Sequence, residues 1–380
     1  MRKMWKKSVA FVLAMMVAVL SVGCVDFTEP EYITVTEDAE TFENRYFYSQ
    51  LPETEQILYR ELYQGLSEQL DEFTVHCADG EDSNRIFYMV LMDFPELFWP
   101  DGNVVSTAYN NTYTKVEAEY SCTKEEREQK QAEIEAETEK ILSSIPAEYS
   151  EYEKIKYVYE YIVNSVEYVK DASDNQNMYS ALVNKASVCA GYAKATQYLL
   201  QQMNIYCIYV LGEATTDTQT DAHAWNIVKC NGQYYCVDTT WGDPLFMNED
   251  EQRKEDVVYD YLCCSDKTIA VTHVPDSQYT YPACESEDLE YYRLNDMYYS
   301  SVDRNVLKRK MFQAIDAKEE YTVMKFSDAG VYNQAKDLLV GTLLGDATQY
   351  LGRKYGIGKV ICFYSEDEKL NKFIIYWNYE

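Results

Sequence analysis

One segment, HAWNIVKC-NG-QYYCVDTTW, restricts the fold of this chain more than any other. Asn231-Gly232 between two apolar, aromatic-rich runs is the strongest short signal for a β-hairpin, and a two-residue turn fixes the register of the two strands. In that register His223 and Asp238 point to the same face as diagonal neighbours, about 7–8 Å apart at the backbone. The hairpin therefore predicts an imidazole within hydrogen-bonding reach of a carboxylate.

A second segment, SVCAG, predicts the start of a helix. Ser187 is a favourable N-cap, which places Cys189 in the first turn. The apolar face of this helix comprises Ala193, Thr196, Leu199, Leu200 and Met203. Unpaired N–H groups and the positive end of the helix dipole favour a thiolate over a thiol in that position. A small residue at a helix start is also common for packing alone, so the cysteine needs partners before it indicates chemistry.

Only three histidines occur in the 380 residues, and this scarcity limits the choice of base. A nucleophilic thiolate requires a base, and the base requires a group that orients it. His223 with Asp238 meets both needs. His76 has no such neighbours in the sequence and is expected to be an ordinary surface or interface histidine. For His273, in VTHVPDS, packing is favoured, and lining of the cleft and capping of a loop are the alternatives.

The same hairpin register argues against a zinc site. Cys230 falls on the opposite face from Cys236 and His223, whereas structural zinc needs ligands that converge on one point. We therefore expect no metal at the hairpin and no cofactor. The other cysteines are expected to be mostly buried small apolar side chains, because their spacing matches neither a disulfide scaffold nor a zinc ribbon.

The N-terminal residues 1–23 have the layout of a secretory signal peptide, with four basic residues before the apolar run SVAFVLAMMVAVLSV. The sequence LSVGC resembles the lipobox of bacterial lipoproteins, with Ser21 where leucine is usual, and it predicts lipidation of Cys24. We expect an exported protein held at the outer face of the membrane. A secreted protein and an uncleaved anchor are the alternatives.

The formal charge of −30 argues against nucleic acid as a partner, because phosphates would be repelled. The bulk of this charge is expected to keep the surface solvated.

Helical and strand patterns divide the rest of the chain. We predict a tether at 24–45, an N-terminal α/β extension at 46–149, a core at 150–284 and a small C-terminal α/β domain at 285–380. Capping boxes at Thr123 and Ser150 predict two helix starts.

The order Cys189, His223, Asp238 resembles that of the transglutaminase-like superfamily, whose fold is papain-like. The matching stretches are QNMYSALVNKASVCAGYAKATQYLLQQMNI, DAHAWNIVKCNGQYYCVDTTWGDP and, more loosely, YDYLCCSDKTIAVTHVP. The resemblance covers about residues 150–284 and implies an α+β fold in which the helix that carries the cysteine packs on an antiparallel sheet.

The resemblance also implies an extracellular cysteine peptidase, amidase or transamidase that acts on a peptide or protein through a thioester, with a cell-wall peptide as one candidate substrate. It makes Cys189, His223 and Asp238 the catalytic residues and Gln176 the candidate oxyanion donor. The candidates for the substrate cleft are Trp225, Trp241 and Gly191, the last because it leaves room for a substrate backbone. No acidic loop has a calcium-ligand pattern, so no metal is expected. The alternative is a non-catalytic surface module that keeps the fold for binding.

Overall fold

The computed structural model describes residues 30–216, 218–243 and 257–380. The expected signal peptide and Cys24 lie outside the described residues. Within these three ranges no helix has the length and apolar character needed to cross a membrane.

The fold is α+β, as the sequence predicted. The α-helices are α1 (Glu40–Glu43), α2 (Tyr46–Gln50), α3 (Glu53–Ser67), α4 (Gly80–Asp93), α5 (Lys124–Ser143), α6 (Glu151–Ser165), α7 (Cys189–Gln202), α8 (Asp266–Ile269), α9 (Tyr291–Leu294), α10 (Arg304–Ala317), α11 (Ala329–Leu338) and α12 (Leu344–Tyr355). Two π-helical segments, Ser180–Asn184 and Leu339–Leu343, and a 3₁₀ turn at Tyr259–Tyr261 complete the helical structure of the described ranges.

The strands are β1 (Glu72–Val75), β2 (Pro100–Tyr109), β3 (Tyr113–Tyr120), β4 (Glu167–Tyr168), β5 (Ala186–Ser187), β6 (Cys207–Thr215), β7 (Thr220–Cys230), β8 (Gln233–Val237), β9 (His273–Pro275), β10 (Tyr298–Tyr299), β11 (Tyr321–Phe326), β12 (Phe363–Asp367) and β13 (Lys372–Tyr376). β3 lies between β1 and β2, and β6 pairs antiparallel with both β7 and β9. β4 and β5 form a short parallel pair.

Local sequence signals fix several of these boundaries. Thr123 and Ser150 each accept a hydrogen bond from the backbone of the glutamate three residues later, and both predicted capping boxes are complete. At the predicted turn, Asn231 and Gly232 have φ angles of 50° and 82°. Both values lie in the left-handed region that a two-residue hairpin turn requires.

The predicted tether is wrong for the part that the structure describes. The backbone N–H of Ile33 donates to the carbonyl of Thr74 at 3.0 Å, and Phe42 of α1 is fully buried. The Phe42 ring lies 5.3 Å from the ring of Tyr63 and 6.0 Å from that of Phe94, both edge to face. The buried aromatic side chain and the backbone hydrogen bond both attach this polar segment to the rest of the unit.

The chain forms two compact units. The first comprises the residues up to Gln233 together with Asp238–Thr240 and His273–Pro282. The second comprises Tyr234–Val237, Trp241–Thr272 and Ala283–Glu380. The sequence-based boundary at Glu285 falls close to the start of the last segment, whereas the N-terminal extension and most of the predicted core belong to one unit.

The second unit has a core of its own, in which α10, α11 and α12 pack with a sheet of order β10–β11–β13–β12. Its fully buried residues include Leu307, Met311, Ile315, Met324, Leu339, Leu343, Phe373 and Ile375.

Candidate active site

The helix α7 begins at Cys189, as predicted, but its N-cap is Val188 and not Ser187. Val188 is extended and makes no side-chain cap. The hydroxyl of Ser187 shares a 2.6 Å hydrogen bond with that of Ser180 and donates to the carbonyl of Asn175 at 3.1 Å. Ser187 therefore fixes the loop before the helix instead of capping the helix. Its hydroxyl accepts no hydrogen bond from the N–H groups of the first turn.

Gly191 is buried, and the predicted role in leaving room for a substrate is wrong. A Cβ atom at this position would lie 1.9 Å from Oγ of Ser187, 2.7 Å from Oγ of Ser180 and 2.9 Å from the carbonyl oxygen of Asn177. Glycine is required because α7 approaches this polar cluster closely.

The sheet holds α7 from its other side. Nδ2 of Asn226 on β7 donates to the carbonyl of Ala193 at 3.0 Å, and Asn226 itself is fully buried. Oγ1 of Thr196 lies 3.1 Å from that of Thr239. These contacts fix the helix that carries Cys189 relative to the strand that carries His223.

The structure brings His223 and Asp238 together. Nε2 of His223 lies 2.7 Å from Oδ2 of Asp238, and their side chains are 5% and 1% exposed. The other carboxylate oxygen accepts the backbone N–H of Thr240 at 2.8 Å. With Nε2 engaged by the carboxylate, Nδ1 is the imidazole atom left for a proton transfer.

A third residue, His273, joins this pair. Its Nε2 lies 2.9 Å from the same Oδ2 of Asp238, and its side chain is fully buried. β6 pairs Gly212 with His223 on one side and Ala214 with His273 on the other, so the two imidazoles are brought to the same end of the sheet. His273 is packed in the core, the role that the sequence favoured for it, and it also hydrogen-bonds to Asp238.

The electrostatic environment favours a charged imidazole beside a charged carboxylate. Burial lowers the pKa of His223, but the charge and hydrogen bond of Asp238 outweigh it and raise the pKa to about 10. Burial likewise raises the pKa of Asp238, and the imidazoles of His223 and His273 outweigh it, so that this pKa lies well below its usual range.

Cys189 is half-buried and lies next to His223. The thiol contributes to the raised pKa of His223 through a hydrogen bond and through its charge. Two tyrosines share the neighbourhood: burial first, and then the charge of Cys189, raise the pKa of Tyr168 and of Tyr209. Tyr168 is half-buried on β4, directly opposite Ser187 on β5.

The exposure of the other predicted site residues differs from one to the next. Trp225 is 1% exposed, and its ring packs against those of His223 at 6.1 Å and His273 at 5.1 Å, which supports the imidazoles from within the core. Trp241, in the second unit, is 2% exposed. Neither ring is open to a substrate in this conformation, so the predicted cleft role does not fit their burial. Gln176 is exposed, and its Nε2 donates to Oδ1 of Asn175; its oxyanion role stays a prediction.

His76 has the surface position expected of it. Its side chain is 53% exposed, stacks on the ring of Tyr32 at 3.6 Å and pairs with Glu61.

The ligand atoms of His223, Asp238 and His273 all lie within 4.8 Å of one another, which is a spacing that a metal ion accepts. Both imidazole nitrogens, however, hydrogen-bond to one carboxylate oxygen. An ion placed between them would have to break both bonds, whereas the bonds as they stand orient a base.

Sequence reasoning missed two residues of this site. His273 lies 35 positions from its partner Asp238, and only its membership of a set of three histidines singled it out. Tyr168 ends a short strand that the sequence did not distinguish from the preceding helix. Neither carries a local motif.

The structure thus places a cysteine at a helix start, a histidine beside it and an aspartate hydrogen-bonded to the histidine. Residues 139–239, which include all three, match the family model of the Transglutaminase-like superfamily. This part of the chain is a transglutaminase-like core. Among curated proteins, none matches this sequence.

Solved structures with similarity to the chain include one described as a TGase, with 13% identity, a TM-score of 0.28, and coverage of 40% of this chain and 47% of the other. A protein of Cytophaga hutchinsonii, described provisionally as a cysteine protease, has 16% identity and a TM-score of 0.26, covering 38% and 64%. The periplasmic domain of TgpA from Pseudomonas aeruginosa has 14% identity and a TM-score of 0.23, covering 36% and 59%. The chain thus spans less than two thirds of each structure, and TM-scores this low carry no argument about function.

Proposed function

We propose that this protein is a cysteine hydrolase that cleaves an amide bond in a peptide or protein through a thioester on Cys189. The observation that carries the proposal is the position of the His223 imidazole, which interacts with the thiol of Cys189 and, through Nε2, with Asp238. The elements of a nucleophile, a base and an orienting carboxylate are thus in contact in the required order.

In the first half-reaction, the Cys189 thiol gives its proton to His223, and the sulfur attacks the substrate carbonyl carbon. The carbonyl π electrons move to the oxygen, which becomes an oxyanion next to the N-terminal N–H groups of α7. When the tetrahedral species collapses, the C–N bond breaks, and His223 returns the proton to the departing amine. Asp238 holds the imidazolium during this step.

In the second half-reaction, His223 takes a proton from water, and the resulting hydroxide attacks the thioester carbon. The C–S bond breaks, the carboxylic acid leaves and the proton returns to the sulfur of Cys189. An amine in place of water would give transamidation by the same steps. We propose water as the acceptor and a peptide, of the kind found in cell walls or surface proteins, as the substrate.

We also propose that the protein is exported and carries a lipid on Cys24, on the basis of the basic and apolar pattern of residues 1–23. Metabolic labelling with a fatty-acid analogue tests this part by itself. Label should enter the wild-type chain and be absent from Cys24→Ser. Equal label in both would overturn it.

Alkylation by a thiol-reactive amide analogue at pH 7 tests the catalytic proposal. Cys189 should react much faster than a model thiol, His223→Ala should slow the reaction to the model rate, and Cys189→Ala should abolish it. Cys77→Ala is the matched control, because Cys77 is also half-buried and lies outside this site. Its removal should leave the fast reaction intact.

Two results would defeat the catalytic proposal. One is a reaction of Cys189 at the rate of a model thiol; the other is an unchanged rate in His223→Ala. Either would favour the alternative, a binding module that keeps the fold without the chemistry.

A further inference from the structure

The second unit contains a pair of buried cysteines that take no part in the proposed reaction. Cys236, on β8, is 2% exposed, and Cys284 is fully buried. Two thiols brought together away from a nucleophilic site require a separate explanation.

Backbone hydrogen bonds hold three chain segments together at this pair. Cys236 and Cys264 exchange N–H to carbonyl bonds of 2.9 and 3.0 Å. The N–H of Asp266 donates to the carbonyl of Cys284 at 2.8 Å. These bonds fix the positions of Cys236, Asp266 and Cys284 relative to one another, although 48 residues separate the first from the last in the sequence.

The side chains of these three residues converge. Both sulfur atoms and a carboxylate oxygen lie within 4.8 Å of one another, and Oδ1 of Asp266 is 3.9 Å from Sγ of Cys236. In tetrahedral zinc sites, Zn–S bonds of about 2.3 Å place neighbouring sulfur atoms about 3.8 Å apart. The three atoms therefore need only small movements to share one ion.

The carboxylate is also oriented as a ligand would be. Oδ2 of Asp266 accepts the N–H of Cys284 at 2.7 Å, which fixes the plane of the carboxylate and leaves Oδ1 facing Cys236. Hydrogen bonds of this kind to the outer atom of a ligand are a regular feature of metal sites. A disulfide between the two cysteines would have no use for the carboxylate.

We propose that Cys236, Cys284 and Asp266 form a binding site for a divalent transition-metal ion of the zinc class. Two thiolates select a soft ion such as Zn²⁺ over Ca²⁺ or Mg²⁺. Asp266 is exposed, so water completes the tetrahedron from the solvent side. This proposal departs from the sequence-based expectation of no metal, which considered Cys236 only together with Cys230 and His223.

Binding at this site must release protons. Cysteine ligates a metal ion as the thiolate. Each thiolate ligand that forms gives up one proton, and two protons per ion should appear in solution.

Titration of the full chain with Co²⁺, in the presence of a reductant that does not bind metal, tests the proposal. Thiolate ligation gives a sulfur-to-cobalt charge-transfer band in the near ultraviolet, and its appearance should accompany the release of two protons per cobalt ion. The band should be lost in Cys236→Ala and Cys284→Ala. Cys207→Ala, which removes a buried cysteine outside the cluster, should keep it.

Asp266→Asn keeps both thiols and replaces the alanine variants in this test if they do not fold. This substitution should weaken Co²⁺ binding about 10- to 100-fold. Absence of the band from the wild type, or its persistence in both cysteine variants, would overturn the proposal. Mass spectrometry supplies a further test. If the unreduced chain is lighter by two hydrogens and the reduced chain binds no cobalt, the proposal is overturned and the two cysteines form a disulfide instead.

Discussion

Two buried aspartates, one in each unit, hold two basic side chains each, but with opposite consequences. Asp238 accepts hydrogen bonds from His223 and His273, at 2.7 and 2.9 Å. Asp260 accepts them from Lys325 at 2.7 Å and from Lys372. In both cases burial raises the pKa of the carboxyl, and the basic neighbours outweigh burial, so the pKa lies well below its usual range.

The partners differ in how easily they lose a proton. An imidazole has an ordinary pKa of about 6.5 and a lysine one of about 10.4, so the imidazole is the weaker base and holds a proton here only because, against the effect of burial, Asp238 raises the pKa of His223. His223 of the Asp238 cluster also interacts with a half-buried thiol, that of Cys189. Asp260 instead accepts a third hydrogen bond, from the phenol hydroxyl of Tyr292 to its Oδ2 at 3.3 Å. The first arrangement therefore suits proton transfer, and the second suits the stability of the unit.

The largest effect is expected from Asp260→Asn. The substitution removes the carboxylate charge that pairs with Lys325 and Lys372, two residues that are 8% and 2% exposed. Breaking such a buried cluster costs about 3–5 kcal/mol. Urea unfolding should show this loss, and the alkylation rate of Cys189 in the folded fraction should not change. If Asp260→Asn lowers the free energy of unfolding by less than Asp238→Asn does, the assignment of Asp260 to stability is contradicted.

Asp238→Asn should act mainly on chemistry. An amide cannot hold an imidazolium, and an ordinary cysteine is only a few per cent thiolate at pH 7, so alkylation of Cys189 should slow about 30-fold. The free energy of unfolding should fall less, by about 1–3 kcal/mol, because His223 and His273 can become neutral. Stopped-flow alkylation at pH 7 measures the rate. If the alkylation rate does not change, Asp238, like Asp260, contributes to stability alone.

The pH dependence of stability should separate the two clusters. The pKa of His223 rises from 6.5 to about 10 on folding, so its contribution is fully present below pH 6.5. Between these values the native state keeps a proton that the unfolded state loses, and the free energy of unfolding falls by up to about 1.4 kcal/mol per pH unit. The low pKa values of Asp238 and Asp260 add stability that is present above about pH 4 and is lost as acid protonates them.

Urea unfolding across this pH range provides the check. His223→Asn should flatten the alkaline slope, and Asp260→Asn should retain it. The same slope in both variants would show that another group causes it.

The smallest effect is expected from His273. Its hydrogen bond positions Asp238, and the loss of one such bond costs about 1 kcal/mol, or about fivefold in alkylation rate. His273→Ala should show this loss, and His273→Gln, whose amide can donate to the carboxylate, should restore the rate. Equal rates in the two variants would indicate that His273 contributes only its volume.

Local sequence determined a large part of this protein. Asn231-Gly232 requires left-handed backbone angles that few other pairs supply, and it fixed the turn after the strand of His223. Thr123 and Ser150 fixed two helix starts through contacts only three residues away. The small number of histidines singled out His223 as the partner of Cys189, and the hairpin register then selected Asp238.

Tertiary structure alone decided the remaining features. The crowding at Gly191, the contact of His273 with Asp238 and the convergence of Cys236, Asp266 and Cys284 all join segments that are distant in sequence or belong to different elements. Caps, turns and periodicity follow from backbone geometry within a few residues, and the sequence therefore reveals them. Which side chains meet across elements depends on how whole elements pack, and no local pattern contains that information.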